Sequence, residues 1–235
     1  HELRTPLVSV RGYADMLTTG RLGPLSDKQR HAVEVLRRNI DRLIHIIEKI
    51  LTYSALENEQ IPLQFQSVNL NTALASVARL NQPATGEQGV TIELDLPAEP
   101  VTIEADPHHL ATLFHQLVSN AVKFNNPAGR VIIGARQVDD TAEVVIGDTG
   151  IGIPPERLNK IFERFYQVDN SRTRRYGGLG LGLAIAHRIV TLHGGTISVQ
   201  SEAETGSTFT VLLPVQRGAS ATLEAAAAEG VRTEH

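Results

Sequence analysis

Residues 106–124 read DPHHLATLFHQLVSNAVKF, and their reading decides the fold of everything around them. Asp106 followed by Pro107 is a helix start: a side-chain acceptor for the first free N–H groups, then a residue whose missing N–H costs nothing there. Leu113, Leu117, Ala121 and Phe124 recur at helical spacing as a buried stripe, whereas Gln116, Asn120 and Lys123 stand at i, i+4 and i+7 on one polar face. Two carboxamides and an ammonium on one stripe suit magnesium and phosphate, because amide oxygens are hard ligands and lysine offers a point charge. A solvated helix face would carry the same residues, so the stripe takes its meaning from what flanks it.

Downstream, Val131–Val138 and Ala142–Gly147 read as a hairpin around Asp139–Asp140, and its second strand runs straight into Asp148-Thr149-Gly150-Ile151-Gly152-Ile153-Pro154. This puts a carboxylate at a strand end beside two glycines able to take positive φ, where it can accept a hydrogen bond from an adenine amino group. A lone motif of this kind is also a common tight turn. Pro155–Phe162 is a short helix. Gly177 to Leu183 then opens an apolar helix over Leu181–Leu192, the arrangement in which backbone N–H groups and a helix N-terminus hold an anion. No strand precedes these glycines, so a dinucleotide-binding βαβ unit is excluded. A polar segment, Tyr166–Gly180 with Arg172, Arg174 and Arg175, precedes them and reads as a mobile basic lid. Strands at Ile197–Gln200 and Thr208–Leu213 close this half. Upstream lie an alternating stretch at Leu63–Val68, a helical one near Asn71–Leu80, and strands at Val90–Leu96 and Val101–Glu104. Helices and strands mix without regular βαβ alternation, which predicts an α+β sandwich rather than a doubly wound sheet.

The first sixty residues have a different texture. Leu3, Leu7, Val10, Ala14 and Leu17 are spaced 4, 3, 4, 3, a seam for packing on another helix. Gly20, Gly23 and Pro24 stop that helix, and Ser26 with Gln29 three residues on forms a capping box for a second. Its seam is Val33, Leu36, Ile40, Leu43, Ile47 and Ile50, widened by Ile44 and Leu51 beyond what one short partner helix covers. An antiparallel hairpin with surplus apolar face predicts a homodimer with a four-helix bundle. The alternative is a monomeric hairpin folded onto its own second domain.

The 235 residues are 41% apolar and carry 22 Lys+Arg against 26 Asp+Glu, a formal charge of −4. That length and composition suit one or two folded domains and exclude global disorder. Mild acidity excludes long-range attraction to nucleic acid or an anionic membrane, so a phosphate-bearing ligand needs a local site. The chain contains no Cys, hence no disulfide, thiolate–metal site or Cys nucleophile, with a lean to the cytosol. No apolar run approaches the roughly 18 residues of a membrane span, and no signal peptide opens the chain. The start at His1 reads as a fragment, with any sensor or membrane span lying upstream, and Gly218–His235 as a disordered Ala-rich tail. His31, His45, His108, His109, His115, His187 and His193 lack carboxylate or Cys partners at ligand spacing and read as structural or solvated.

Five motifs occur in one order: His-Glu-Leu-Arg-Thr-Pro-Leu at 1–7, Asn-Ala-Val-Lys-Phe at 120–124, Asp-Thr-Gly-Ile-Gly-Ile-Pro at 148–154, Phe-Glu-Arg-Phe at 162–165 and Gly-Leu-Gly-Leu-Gly-Leu at 178–183. From Glu2 to about Val215 the chain resembles the catalytic core of bacterial two-component sensor histidine kinases. The resemblance implies a dimerisation and phosphoacceptor hairpin over 1–60 and an ATP-binding domain over 61–217, with a fold shared with gyrase and MutL. It implies that His1 is the phosphoacceptor, Glu2 the acid that orients and activates it, and Thr5 the residue that positions water for dephosphorylating the response regulator. It further implies Asn120 as magnesium ligand with Gln116 a second candidate, Lys123 and Arg172 as phosphate contacts, Phe124 as a stacking partner for adenine, and Asp148 as adenine acceptor. Gly150, Gly152, Gly178, Gly180 and Gly182 match the glycine boxes, and Thr208 the lining of the adenine pocket. The implied cofactors are ATP and Mg2+, and the implied partner is an aspartate-bearing receiver domain on a separate chain. Pro6 lacks the N–H that would bond the carbonyl of Glu2, which predicts a bend beside His1.

The sequence departs from the family in three places: Gln116 stands for the usual Asn, Leu179 for a Thr or Ser, and the chain starts at the phosphoacceptor itself. Two rival readings follow, an ATP-driven clamp of the gyrase and MutL type and a scaffold that dimerises and binds nucleotide without chemistry. A nucleophile one turn before a proline, on a heptad helix, speaks against the clamp.

Overall fold

A computed structural model describes residues 4–57, 62–167 and 179–216. His1, Glu2, Arg172, Gly178 and the Ala-rich tail therefore lie outside the described residues. The chain divides into two compact units, His1–Ala55 and Leu56–His235.

In the first unit, α1 (Arg4–Thr18) and α2 (Asp27–Glu57) form the expected hairpin. Arg11 pairs with Asp41 at 3.2 Å and Arg37 with Asp15 at 3.8 Å, a register that requires the helices to run antiparallel. The α2 start is the capping box read from sequence: the Ser26 N–H donates to Gln29 Oε1 at 2.9 Å, and the Gln29 N–H to Ser26 Oγ at 3.4 Å. The α2 seam splits by heptad position. Val33 and Ile40 are buried against α1, while Leu36 and Leu43 are 59% and 47% exposed and Ile50 and Leu51 are exposed as well.

In the second unit, β1 (Gln66–Asn69) pairs antiparallel with β3 (Thr102–Ala105) as a separate ribbon. The main sheet has the order β2-β4-β5-β7-β6, made of β2 (Thr91–Asp95), β4 (Arg130–Val138), β5 (Thr141–Asp148), β7 (Gly206–Pro214) and β6 (Thr196–Glu202). Among the described strands, only the β2–β4 pairing is parallel. Three helices, α3 (Leu70–Gln88), α4 (Pro107–Lys123) and α5 (Gly182–Leu192), cover one face. The core lies there: Leu110, Leu113, Phe114 and Leu117 of α4 are fully buried, as are Val131 and Ile133 of β4, Val144 and Ile146 of β5, and Val211 of β7. This is the predicted α+β class with one helical layer on one sheet.

Helix α3 outruns its prediction. It starts at an Asn69 cap that accepts from the Thr72 N–H, continues through Pro83, and stops only at Gly89 with φ 69°. Proline removes one N–H, but Asn81 and Thr85 on either side of it are buried, and Asn81 Nδ2 bonds the Val77 carbonyl at 2.9 Å. Residues 155–160 form one 3-10 segment, shorter than the helix expected over 155–162.

Candidate nucleotide site

The site is built where α4 ends, β5 ends and α5 begins. On α4 the polar stripe is as spaced: Gln116, Asn120 and Lys123 are half-buried, while Leu113, Phe114, Leu117, Val118, Ala121 and Val122 are fully covered. Gly182, the first residue of α5, faces that stripe. A Cβ there would lie 2.8 Å from Gln116 Oε1 and 4.0 Å from Asn120 Nδ2, so the glycine lets the free N–H end of α5 come down onto the two carboxamides. The extra methylene of Gln116 brings it against α5. The Lys123 ammonium sits 4.7 Å from the centre of the Phe124 ring at the helix exit.

Asp148 is the last residue of β5, and its Oδ1 accepts from the Gly150 N–H at 2.8 Å. Burial raises its pKa to about 6, against the opposing pull of the Gly150 and Ser207 N–H groups. Gly150 has no room for a side chain because a Cβ would strike the Phe124 carbonyl, and Gly152, at φ 63°, would strike the Glu202 carbonyl. The Ile151 N–H donates to the Phe124 carbonyl at 3.1 Å, and the Glu204 N–H to the Ile151 carbonyl at 2.8 Å. The turn 148–152 is thus wedged between the exit of α4 and the β6–β7 end.

Gly180, at φ 67°, would strike the Tyr166 carbonyl with any side chain, and the Phe165 N–H donates to the Gly180 carbonyl at 3.1 Å. The two ends of the segment carrying Arg172 are therefore joined at their base. Thr5 lies exposed in the first turn of α1.

The structure brings Gln116, Asn120 and Gly182 together at one end, and Phe124, Asp148, Gly150 and Gly152 at the other, where the Lys123 ammonium lies over the Phe124 ring. It does not bring Thr208 to Asp148. The β5–β7 register pairs Gly147 with Thr208 and Asp148 with Ser207, so Thr208 sits on the face away from the helices, and buried Ser207 stands opposite the carboxylate. Strand alternation could have flagged Ser207 only with the β5–β7 register in hand. The bracing residues Asn125, Asn126 and Thr149 were also missed.

A buried polar cluster holds the far ends of α4 and α5. Asp106 caps α4 through the His108 and His109 N–H groups, accepts from the Gln64 N–H at 2.9 Å, and lies 3.0 Å from His109 Nδ1. Burial pushes the Asp106 carboxyl up, but the Gln64 and His109 contacts outweigh it and hold the pKa at about 2. His193 accepts the Asp106 N–H at Nε2 (3.1 Å) and faces the Ile189 carbonyl with Nδ1 (2.8 Å), which makes it a neutral imidazole protonated at Nδ1; burial lowers its pKa. His109 thus has the carboxylate partner that sequence spacing did not reveal.

Comparison with known proteins agrees with this geometry. Residues 1–59 match the His Kinase A phospho-acceptor domain, and residues 105–217 match the histidine kinase-, DNA gyrase B-, and HSP90-like ATPase domain. The circadian input-output histidine kinase CikA of Synechococcus elongatus is 38% identical over 218 residues, covering 92% of this chain and 29% of that protein. The autoinducer 2 sensor kinase/phosphatase LuxQ of Vibrio vulnificus is 35% identical over 226 residues, covering 93% and 26%. The crystal structure of full-length ShkA in complex with AMPPNP is 33% identical with a TM-score of 0.79, covering 91% of this chain and 44% of that one. The chain spans less than a third of either curated relative. With both domain matches in order and the glycine-walled site between α4, β5 and α5, the chain belongs to the sensor histidine kinases, of which it carries the phospho-acceptor and ATP-binding domains.

Proposed function

We propose that this chain is an ATP-dependent protein-histidine kinase that phosphorylates His1 and hands the phosphoryl group to an aspartate of a response regulator. The observation that carries the reading is the meeting of Gly182, the first residue of α5, with the Gln116 carboxamide of the α4 polar stripe, in the same unit as a buried Asp148 whose carboxylate is held by the Gly150 N–H. Asp148 takes the adenine amino group, and Ser207 lines the same face. Phe124 offers its ring to the base. Lys123, and Arg172 from the basic segment, take the phosphates, with the α5 N–H groups beside them.

The donor set suits magnesium. Asn120 and Gln116 supply amide oxygens, and no cluster of three acidic or His side chains competes for the ion among the described residues. A magnesium ion held there would offset charge on the phosphate oxygens. Neutral His1 attacks the γ-phosphorus through a ring nitrogen. The N–P bond forms as the bond to the β-phosphate oxygen breaks, and ADP leaves with that electron pair. Glu2 orients the ring and accepts its proton. Thr5, one turn on, positions water for the reverse task of dephosphorylating the regulator.

The chain acts as a homodimer through the face of α2 that carries Leu36, Leu43 and Ile50. No helix among the described residues is long and apolar enough to cross a membrane. We place this portion in the cytoplasm.

Incubating the chain and its His1→Gln variant with γ-labelled ATP and magnesium tests the reading. Acid-labile, base-stable label that vanishes in the variant is the expected result. ATP hydrolysis with no labelled protein, also after helix one is extended upstream, would overturn it in favour of a clamp ATPase.

A further inference from the structure

We propose that Asn125 and Thr149 are positioning residues for nucleotide recognition: together they clamp the exit of α4 to the Asp148–Gly152 turn and so fix the distance between the phosphate-binding and base-binding ends of the site. The proposal rests on the adenine role of Asp148 given above.

Thr149 is held on every side. Its hydroxyl donates to Asn125 Oδ1 at 3.1 Å and accepts the Arg130 N–H at 2.9 Å. Its N–H donates to the Arg130 carbonyl at 3.1 Å, and its carbonyl accepts from Asn126 Nδ2 at 2.9 Å. Asn125 is buried and spends its carboxamide on the same knot, with Nδ2 on the Arg130 carbonyl at 2.9 Å and Oδ1 also accepting the Asn126 N–H at 2.9 Å. A Cβ at Gly129 would strike Asn125 Oδ1, so the loop closes tightly over the knot. Every polar atom of the two side chains is therefore paired inside the loop 125–130 and the turn that begins at Asp148.

The knot's neighbours are functional on both sides. Lys123 and Phe124 end α4 immediately before Asn125, with Asn120 one turn earlier. On the other strand Thr149 stands between Asp148 and the Gly150 N–H that holds its carboxylate. A nucleotide that engages the α4 polar stripe with its phosphates and Asp148 with its base spans the two segments that Asn125 and Thr149 tie together. Removing the Thr149 hydroxyl leaves buried Asn125 Oδ1 and the Arg130 N–H each short of a partner, a cost borne where the base-binding carboxylate is aimed.

The test is a double-mutant cycle read by ADP titration calorimetry with magnesium on the whole chain, alongside melting temperature. Thr149→Val weakens ADP binding about tenfold, the scale of one such hydrogen bond. Thr149→Ser, which keeps the hydroxyl, returns to within about twofold of the parent. In an Asp148→Asn background Thr149→Val adds no further loss, because it acts through that carboxylate. Should Thr149→Val fail to fold, Asn126→Ala removes the bond to the Thr149 carbonyl and enters the same cycle. Losses that add in full to those of Asp148→Asn, or that follow melting temperature without rescue by serine, overturn the positioning role and leave a plain structural brace. Unchanged ADP binding in Asp148→Asn alone overturns the adenine reading itself, a distinct result.

Discussion

The apolar stripes of α2 and α4 are written in the same periodic code and end in opposite conditions. On α4 every large apolar side chain from Leu110 to Val122 is buried by the sheet and by α3 and α5. On α2 only one of the two heptad positions is covered by α1, while Leu36, Leu43 and Ile50 stand in solvent. One helix completes its core within its own unit. The other offers a row of leucine and isoleucine whose exposure to water costs free energy. The second unit thus covers its own core, whereas the hairpin leaves the apolar row open that we assign to the proposed dimer.

The sharpest way to break that contrast is to put charge on the open row. Leu36→Glu combined with Leu43→Glu buries two unpaired carboxylates at the proposed dimer interface and raises the dimer dissociation constant about a thousandfold, as read by sedimentation equilibrium. Nucleotide affinity, measured on the same sample, stays at the parent value because the site lies wholly in the second unit. A parent chain that sediments as a monomer at all concentrations would refute the proposed dimer.

The next effect lies at the site, where a core covered within its own unit carries a functional penalty. Asp148 titrates at about 6 in the folded chain against 3.8 unfolded. The folded state therefore holds the proton more tightly, and stability falls as pH rises from 3.8 through 6. The ionised carboxylate at neutral pH then costs up to about 3 kcal/mol, the value of the shift. Asp148→Asn removes the charge and keeps an acceptor for the Gly150 N–H. It raises the unfolding free energy at pH about 7.5 by up to that amount, and the gain disappears below pH about 4. Nucleotide binding moves the other way and weakens. A variant that binds ADP as before while melting higher would separate the buried charge from recognition.

What was legible in the sequence follows from how far each signal travels along the chain. The capping box at Ser26, the Asp106–Pro107 start and the polar stripe of α4 are local, and spacing alone places them. The split of the α2 seam depends on which heptad position α1 covers, a tertiary fact that periodicity does not carry. Thr208 and Ser207 are adjacent in sequence, and the choice between them depends on the register of β5 with β7, strands some sixty residues apart. The Asp106–His193 bond spans 87 residues, so of the two readings the sequence left for His193, structural or solvated, the structural one holds, as the acceptor for a buried N–H. The Asn125–Thr149 knot ties a loop to a turn and has no periodicity at all. Helix α3 runs on past Leu80 through Pro83 to Gln88, with buried Asn81 and Thr85 on either side of the proline, an extension that local spacing did not carry.

The same chemistry, a side-chain helix N-cap, occurs in both units, and between Ser26 and Asp106 the contrast is smallest and easiest to isolate. Ser26 is exposed, and its hydroxyl serves a helix whose first turn is already in water. Ser26→Ala therefore costs about 1 kcal/mol, the ordinary value of a cap, with no dependence on pH between 2 and 5. Asp106 is buried, and besides capping α4 it holds the Gln64 N–H and faces the His109 ring. Its pKa of about 2 lies below the unfolded value, so its contribution is complete above pH about 4 and is lost as pH falls toward 2. Asp106→Asn keeps a carbonyl oxygen for the cap and removes the charge, so its destabilisation, read by urea titration, shrinks with acid while that of Ser26→Ala stays flat. Parallel pH profiles for the two variants would mean that the buried cap works as the exposed one does, through backbone satisfaction alone.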